Sequence, residues 1–263
     1  MAPRTARSLR YEYELFIEQE IENYKESIPR SAILAIGDEA AAKIAAEPQF
    51  ALTELLLLEE VDKIIAKRLR LPKYDTWRRR RLKLHEEMRR PEHWGLSSSD
   101  ALVRTINGAV ESSANVLVAG DDAQRSALYL AANGCDVTAL EPEEDAVQRV
   151  IEAAIQAGLA ERVHAVATGL THFTPDNQLQ VVVCSHSALK DLSSRERARV
   201  IDVLQCATTD GGVHLVQTII AGSAAIDELR SRYAGWSITI EPASGPGQVF
   251  LARKSSDENR VSH

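Results

Sequence analysis

The chain has 263 residues, 44% hydrophobic and 26% charged, with a formal charge of -7. That is enough apolar material for a packed core in one large domain or two smaller ones. The negative balance argues against attraction of the whole molecule to nucleic acid or an anionic membrane. No apolar run reaches the roughly twenty residues that a membrane helix needs.

The three cysteines, Cys135, Cys184 and Cys206, are scattered and lack metal-ligand spacing. Cys135 and Cys184 fall in strand-like apolar runs, so buried free thiols are expected. A reducing, cytoplasmic compartment fits. The opening MAPRTARSLRYEYE has basic residues but no apolar stretch, and does not read as a secretory signal.

Residues 9 to about 95 read as helical. Leu9, Tyr13, Phe16, Ile17, Ile21 and Tyr24 recur at the spacing of one helix face, and Pro29 ends that segment. Ser31 is expected to cap a second helix running to Ala46, closed by Pro48. A third, Ala51 to Leu71, carries Leu55-Leu56-Leu57-Leu58 and reads as the middle of a bundle. A fourth, Tyr74 to Met88, holds Arg78-Arg79-Arg80-Arg81. Residues 1–62 carry 13 acidic and 6 basic side chains, whereas residues 63–90 carry 12 basic and 3 acidic. The polar stretch Gly95 to Asp100 is the expected linker. The domains expected are therefore 1–96, all-helical, and 97–254, with a disordered tail at 255–263.

From Asn115 onward strands and helices alternate, the pattern of a doubly wound, mostly parallel sheet. A helix from Ala101 to Glu111 precedes the first strand, Asn115 to Ala119. Helices are expected over Glu143–Ala157, Ser194–Cys206 and Ser223–Tyr233, and strands over Arg162–Val166, Gln180–Cys184 and Val213–Ile219. Gly211-Gly212 reads as the turn into the last of these. Trp236–Ile240 and Val249–Ala252 flank a Pro/Gly-rich segment and read as a closing antiparallel hairpin.

The first strand ends at Gly120, followed by the polar Asp121-Asp122-Ala123-Gln124 and a helical pattern stopped by Asn133-Gly134. A second strand, Val137 to Leu140, ends in Glu141. Glycine permits a sharp strand-to-helix turn, the helix start offers free N–H groups, and an acid some twenty residues on can accept both ribose hydroxyls. Val116 to Gln124, with Leu140-Glu141-Pro142, resembles the class I S-adenosylmethionine-dependent methyltransferases. The resemblance covers the second domain only. Of the motif's three glycines Gly120 stands; Asp122 and Gln124 occupy the other two places.

The resemblance implies a Rossmann-like methyltransferase sheet and S-adenosyl-L-methionine as cofactor. It implies cofactor contacts at Gly120, Asp121, Asp122, Glu141, at Gly169 after the third strand, and at Ser185 after the fourth. His186, in the loop facing the methyl group, is the candidate general base. The acceptor would be a small or medium-sized molecule, and the helical domain would choose it or form a homodimer contact.

Each candidate has a plainer alternative. Glu141 could simply be a solvated acid opening the next helix. The 120–124 loop could be a turn without a ligand, and His186 a half-exposed loop residue. The arginine run could bind RNA, but four successive residues cannot share one helix face, and pairing with the acidic first helix is the better reading. Nucleic acid is therefore not the expected partner. The rival to catalysis is a methyltransferase fold that has kept its shape and serves as a binding or scaffold module.

Overall fold

The structure, a computed structural model, describes residues 8–45, 53–109, 113–220, 224–243 and 247–255. The chain divides into two compact units, residues 1–84 and 85–263.

The first unit is helical: α1 (Leu9–Ser27), α2 (Arg30–Ile44), α3 (Thr53–Leu69) and most of α4 (Tyr74–Met88). Ser8 caps α1, its Oγ accepting the Tyr11 N–H at 3.2 Å. Ser31 does not cap α2. That helix begins at Arg30, directly after Pro29, whose fixed φ sets the entry, so Ser31 lies inside the first turn. The core is Ile21, Ile36, Ala40, Ile64 and Ile65. The leucine run is not its centre: Leu55 and Leu58 are 64% and 56% exposed. The inward face of α3 is set by Leu57, Val61, Ile64 and Ile65, and four consecutive leucines wrap around a helix instead of lining one side. Arg81 Nε meets Glu12 Oε2 at 3.2 Å, so one arginine of the run pairs with the acidic first helix.

The second unit opens with a short 3₁₀ turn (Pro91–Trp94) and α5 (Ala101–Ala109). Then come β1 (Asn115–Ala119), α6 (Ala123–Ala132), β2 (Asp136–Glu141), α7 (Glu144–Ala157), β3 (Val163–Ala167) and β4 (Leu179–Ser185). These lead to α8 (Ser187–Lys190), α9 (Ser194–Ala207), β5 (Thr208–Ile219), α10 (Ala224–Arg232), β6 (Ser237–Pro242) and β7 (Gln248–Arg253). The sheet order is β3-β2-β1-β4-β5-β7-β6. The first five strands run parallel, and β7 lies antiparallel between β5 and β6. The sheet is thus the mostly parallel, doubly wound one expected, with the hairpin's second strand inserted inside its first.

Both faces are covered. Val116 and Val118 of β1 pack with α5, α6 and α7, while Leu117 and Ala119 join α9 and α10 on the other side. Such two-sided burial is why the central strands read as unbroken apolar runs. Two expectations shift here. Strand β5 starts at Thr208, pairing with Leu179, and Gly211-Gly212 sits inside it beside a register irregularity. A Cβ on Gly212 would stand 2.5 Å from Thr208 Cγ2, so only glycine fits the kink. The segment after β4, read as a loop, holds the short helix α8.

The face carrying α9 and α10 buries one polar chain. Tyr233 O–H donates to His214 Nδ1 at 2.8 Å, His214 Nε2–H to Thr208 Oγ1 at 2.7 Å, and Thr208 to the Leu204 carbonyl at 2.6 Å. The carbonyl can only accept, which fixes the direction of every proton. Burial, helped by Lys254, pushes the His214 imidazole down to about 3.

Cys135 and Cys184 are buried thiols and Cys206 is exposed. Among the described residues no helix is long and apolar enough to cross a membrane. Of the expected tail only Ser255 is described; residues 256–263 lie outside the described residues, as do parts of the expected helix ends at 46 and 110–111.

Candidate functional site

Register brings the candidate residues to one edge of the sheet. Ala119 is level with Leu140 on one side and Cys184 on the other, so Gly120 is followed across the sheet by Glu141 and Ser185. Glu141 is level with Ala167, placing Thr168 and Gly169 next along the same edge. Strand β1 has β2 on one flank and β4 on the other, so this edge is where the strand order reverses. In open α/β sheets the crevice for a ligand lies there.

The turn after β1 keeps a glycine-like path without its full set of glycines. Gly120 has φ 91 and Asp122 φ 64, both left-handed. Aspartate tolerates that region better than most side chains. The Asp122 carboxylate pairs with Arg125 at 2.7 Å on the exposed surface, and the side chain of Gln124 is exposed too. Helix α6 then begins at Ala123, with Asp122 as its N-cap but no side-chain cap bond. Its first-turn amides are left without a side-chain cap from that residue.

Glu141 closes β2 half-buried. Burial lifts its carboxyl above the usual carboxylate range; Arg149 opposes the shift, and Asp121 and Glu143 add to it. Its backbone carbonyl is occupied by the Thr168 N–H at 2.9 Å. A half-buried carboxylate is a strong hydrogen-bond acceptor, and hydroxyl groups can donate to both of its oxygens.

The other two loops differ. Beyond β3, a Cβ on Gly169 would meet only Thr171 Oγ1, at 3.9 Å, so no close approach demands glycine. The next residue, Leu170, is 7% exposed and belongs to the core. After β4, Ser185 is 3% exposed, and its Oγ accepts the Asp121 N–H at 2.9 Å. His186 follows. Its N–H donates to the Gln217 carbonyl at 2.8 Å, tying the loop to β5. Burial lowers the His186 imidazole pKa, and Arg197 and Lys190 lower it further, which favours the neutral, proton-accepting form.

Arg125, Arg149 and Ser187 also belong to this edge, and nothing in the sequence singles them out. The only signal for Ser187 is its place two residues beyond Ser185. Among the described residues no cluster of His, Cys, Asp and Glu could hold a metal ion.

Residues 99–240 match the family model described as tellurite resistance protein TehB. A search of curated proteins finds no match. Among solved structures, the glycopeptide N-methyltransferase MtfA with S-adenosyl-L-homocysteine aligns at 14% identity and TM-score 0.50, over 60% of this chain and 90% of that one. The same enzyme with S-adenosyl-L-methionine aligns at 14% identity and TM-score 0.50, over 61% and 95%. TehB from Haemophilus influenzae aligns at 16% identity and TM-score 0.49, over 62% and 65%. At such identity the likeness to MtfA is one of fold, and that fold is the methyltransferase one.

Proposed function

This chain belongs to the TehB tellurite resistance family, and from that premise we propose that it binds S-adenosyl-L-methionine and transfers the methyl group to a small or medium-sized acceptor. The observation that carries the proposal is Glu141, a half-buried carboxylate ending β2 one residue across from the left-handed Gly120 turn. Its oxygens suit the two ribose hydroxyls. The outward pairing of Asp122 with Arg125 leaves that side chain out of the crevice, which supports cofactor entry over a closed scaffold. Gly120 and Asp122 shape the turn, and the Asp121 carboxylate would suit the cofactor's ammonium group by charge.

The bound cofactor supplies a sulfonium that already activates the methyl group. The protein's own work is then to orient the acceptor and remove its proton. His186, held neutral by burial and by Arg197 and Lys190, is the base we assign to that task. Its replacement by Ala is expected to lower kcat by about a hundredfold; a loss under threefold rules the base out. The site works in the cytoplasm, where its thiols stay reduced. The exposed Leu34, Leu55 and Leu58 support a homodimer contact through the helical unit. Sedimentation as a monomer at every concentration would remove that contact.

Calorimetric titration with S-adenosylmethionine and S-adenosylhomocysteine tests the whole reading. Micromolar binding that Glu141→Ala abolishes is expected. No binding by the intact chain at millimolar ligand would leave the scaffold role.

A further inference from the structure

We propose that Ser185 and Ser187 form a two-hydroxyl latch that holds the cofactor turn in place of the missing glycines, and that the Ser187 hydroxyl donates to the carboxylate of the cofactor's amino-acid end. The second half rests on the cofactor reading above; the first does not.

The latch spans the reversal point of the sheet. The Asp121 N–H, on the turn after β1, donates to Ser185 Oγ at 2.9 Å and, more weakly, to Ser187 Oγ at 3.3 Å, both on the segment after β4. The two hydroxyls are themselves in hydrogen-bond contact. Ser185 is 3% exposed, and among the described residues Ser187 Oγ is the only acceptor its proton can reach. The order of donors is therefore Asp121 N–H to Ser185, and Ser185 O–H to Ser187. The reverse order would bury the Ser185 proton without an acceptor. Ser187, half-buried at the crevice edge, is left as the last member, and among the described residues its own proton has no further acceptor.

The latch also explains which glycine the turn keeps. A Cβ on Gly120 would lie 2.2 Å from Ser185 Oγ, 3.0 Å from Ala188 Cβ and 3.2 Å from Ser187 Oγ. No side chain fits there while the hydroxyls bridge the turn. Asp122 meets no such wall; its side chain is exposed and paired with Arg125.

The chemistry of the ligand follows. In a turn of several glycines, free amides face the bound molecule. Here the Asp121 amide is consumed by the latch, and Asp121 and Glu141 bring acidic charge to the same edge. A carboxylate arriving there loses that amide as a donor, and the Ser187 hydroxyl takes its place beside the uncapped first turn of α6.

Two ligands separate the parts of the proposal: S-adenosylhomocysteine, which has the amino-acid end, and 5'-methylthioadenosine, which lacks it. Affinities are measured by calorimetry, and exchange of the Asp121 amide by NMR. Ser185→Ala is expected to speed Asp121 exchange at least tenfold and to weaken both ligands about tenfold, while the sheet unit still unfolds in one cooperative transition. Ser187→Ala is expected to cost about tenfold for S-adenosylhomocysteine and less than twofold for methylthioadenosine, with Ser187→Thr restoring the loss. Equal loss on both ligands, or none, overturns the donor role of Ser187. An Asp121 amide that exchanges in the intact chain as fast as an exposed loop overturns the latch. If the intact chain binds neither ligand, the cofactor reading and the donor role fall together, and the amide exchange alone judges the latch.

Discussion

The helical unit and the sheet unit meet the same requirement, burying apolar side chains, with different economy. In the helical unit the described core is five residues, Ile21, Ile36, Ala40, Ile64 and Ile65. Each helix contributes one stripe, and a run such as Leu55 to Leu58 leaves members in solvent. In the sheet unit one short strand feeds two cores at once, Val116 and Val118 on one face, Leu117 and Ala119 on the other. A central strand wastes no residue, whereas a surface helix exposes half of its own. Sequence hydrophobicity therefore measures burial well in the sheet and overstates it in the helices.

The contrast can be broken most sharply at Phe250, which is fully buried in the core on the face carrying α9 and α10. Phe250→Ala should cost about 4 kcal/mol, read as a lowered midpoint of the sheet unit's urea unfolding. Acid should come next. The unfolded chain protonates the imidazole of His214 near pH 6.5, whereas the folded one does so only near pH 3. Stability is thus whole above pH 6.5 and falls as pH falls. About 3 kcal/mol should be gone by pH 4 from this group alone. Lys254, the charge facing that imidazole, steepens the effect, and Tyr233, the hydroxyl on it, stays neutral throughout because burial raises its pKa. Denaturation from pH 7 to 4 should show this slope, and His214→Gln should flatten it.

A smaller effect is expected in the helical unit. Ile65→Ala should cost about 2 kcal/mol and lower a transition of its own, leaving that of the sheet unit in place. A single shared transition would show that the two units unfold together. The smallest effect is at Leu58. Because it is 56% exposed, Leu58→Lys should change stability by no more than about 0.5 kcal/mol. A larger loss would mean that this face is covered in solution.

The candidate site divides along the same lines. Gly120 and Glu141 were legible because a βαβ unit places its turn and its second-strand acid at fixed positions along one chain segment. Leu170 was not legible as core, since nothing local tells a loop residue that it lies under the sheet. Ser187 was less visible still. Its partner Asp121 is 66 residues away, and only the β1–β4 pairing brings them together.

By itself the sequence determined the alternation of strands and helices, the unbroken apolar run of β4, and the acid and turn that face one another across β1 and β2. Those follow from local periodicity and from stereochemistry that acts over a few residues. Tertiary structure alone decided that β7 inserts between β5 and β6, that the leucine run of α3 points partly outward, and that two serines hold the turn. Each depends on which strands and helices lie side by side, and pairing across tens of residues leaves no mark in any one stretch of chain.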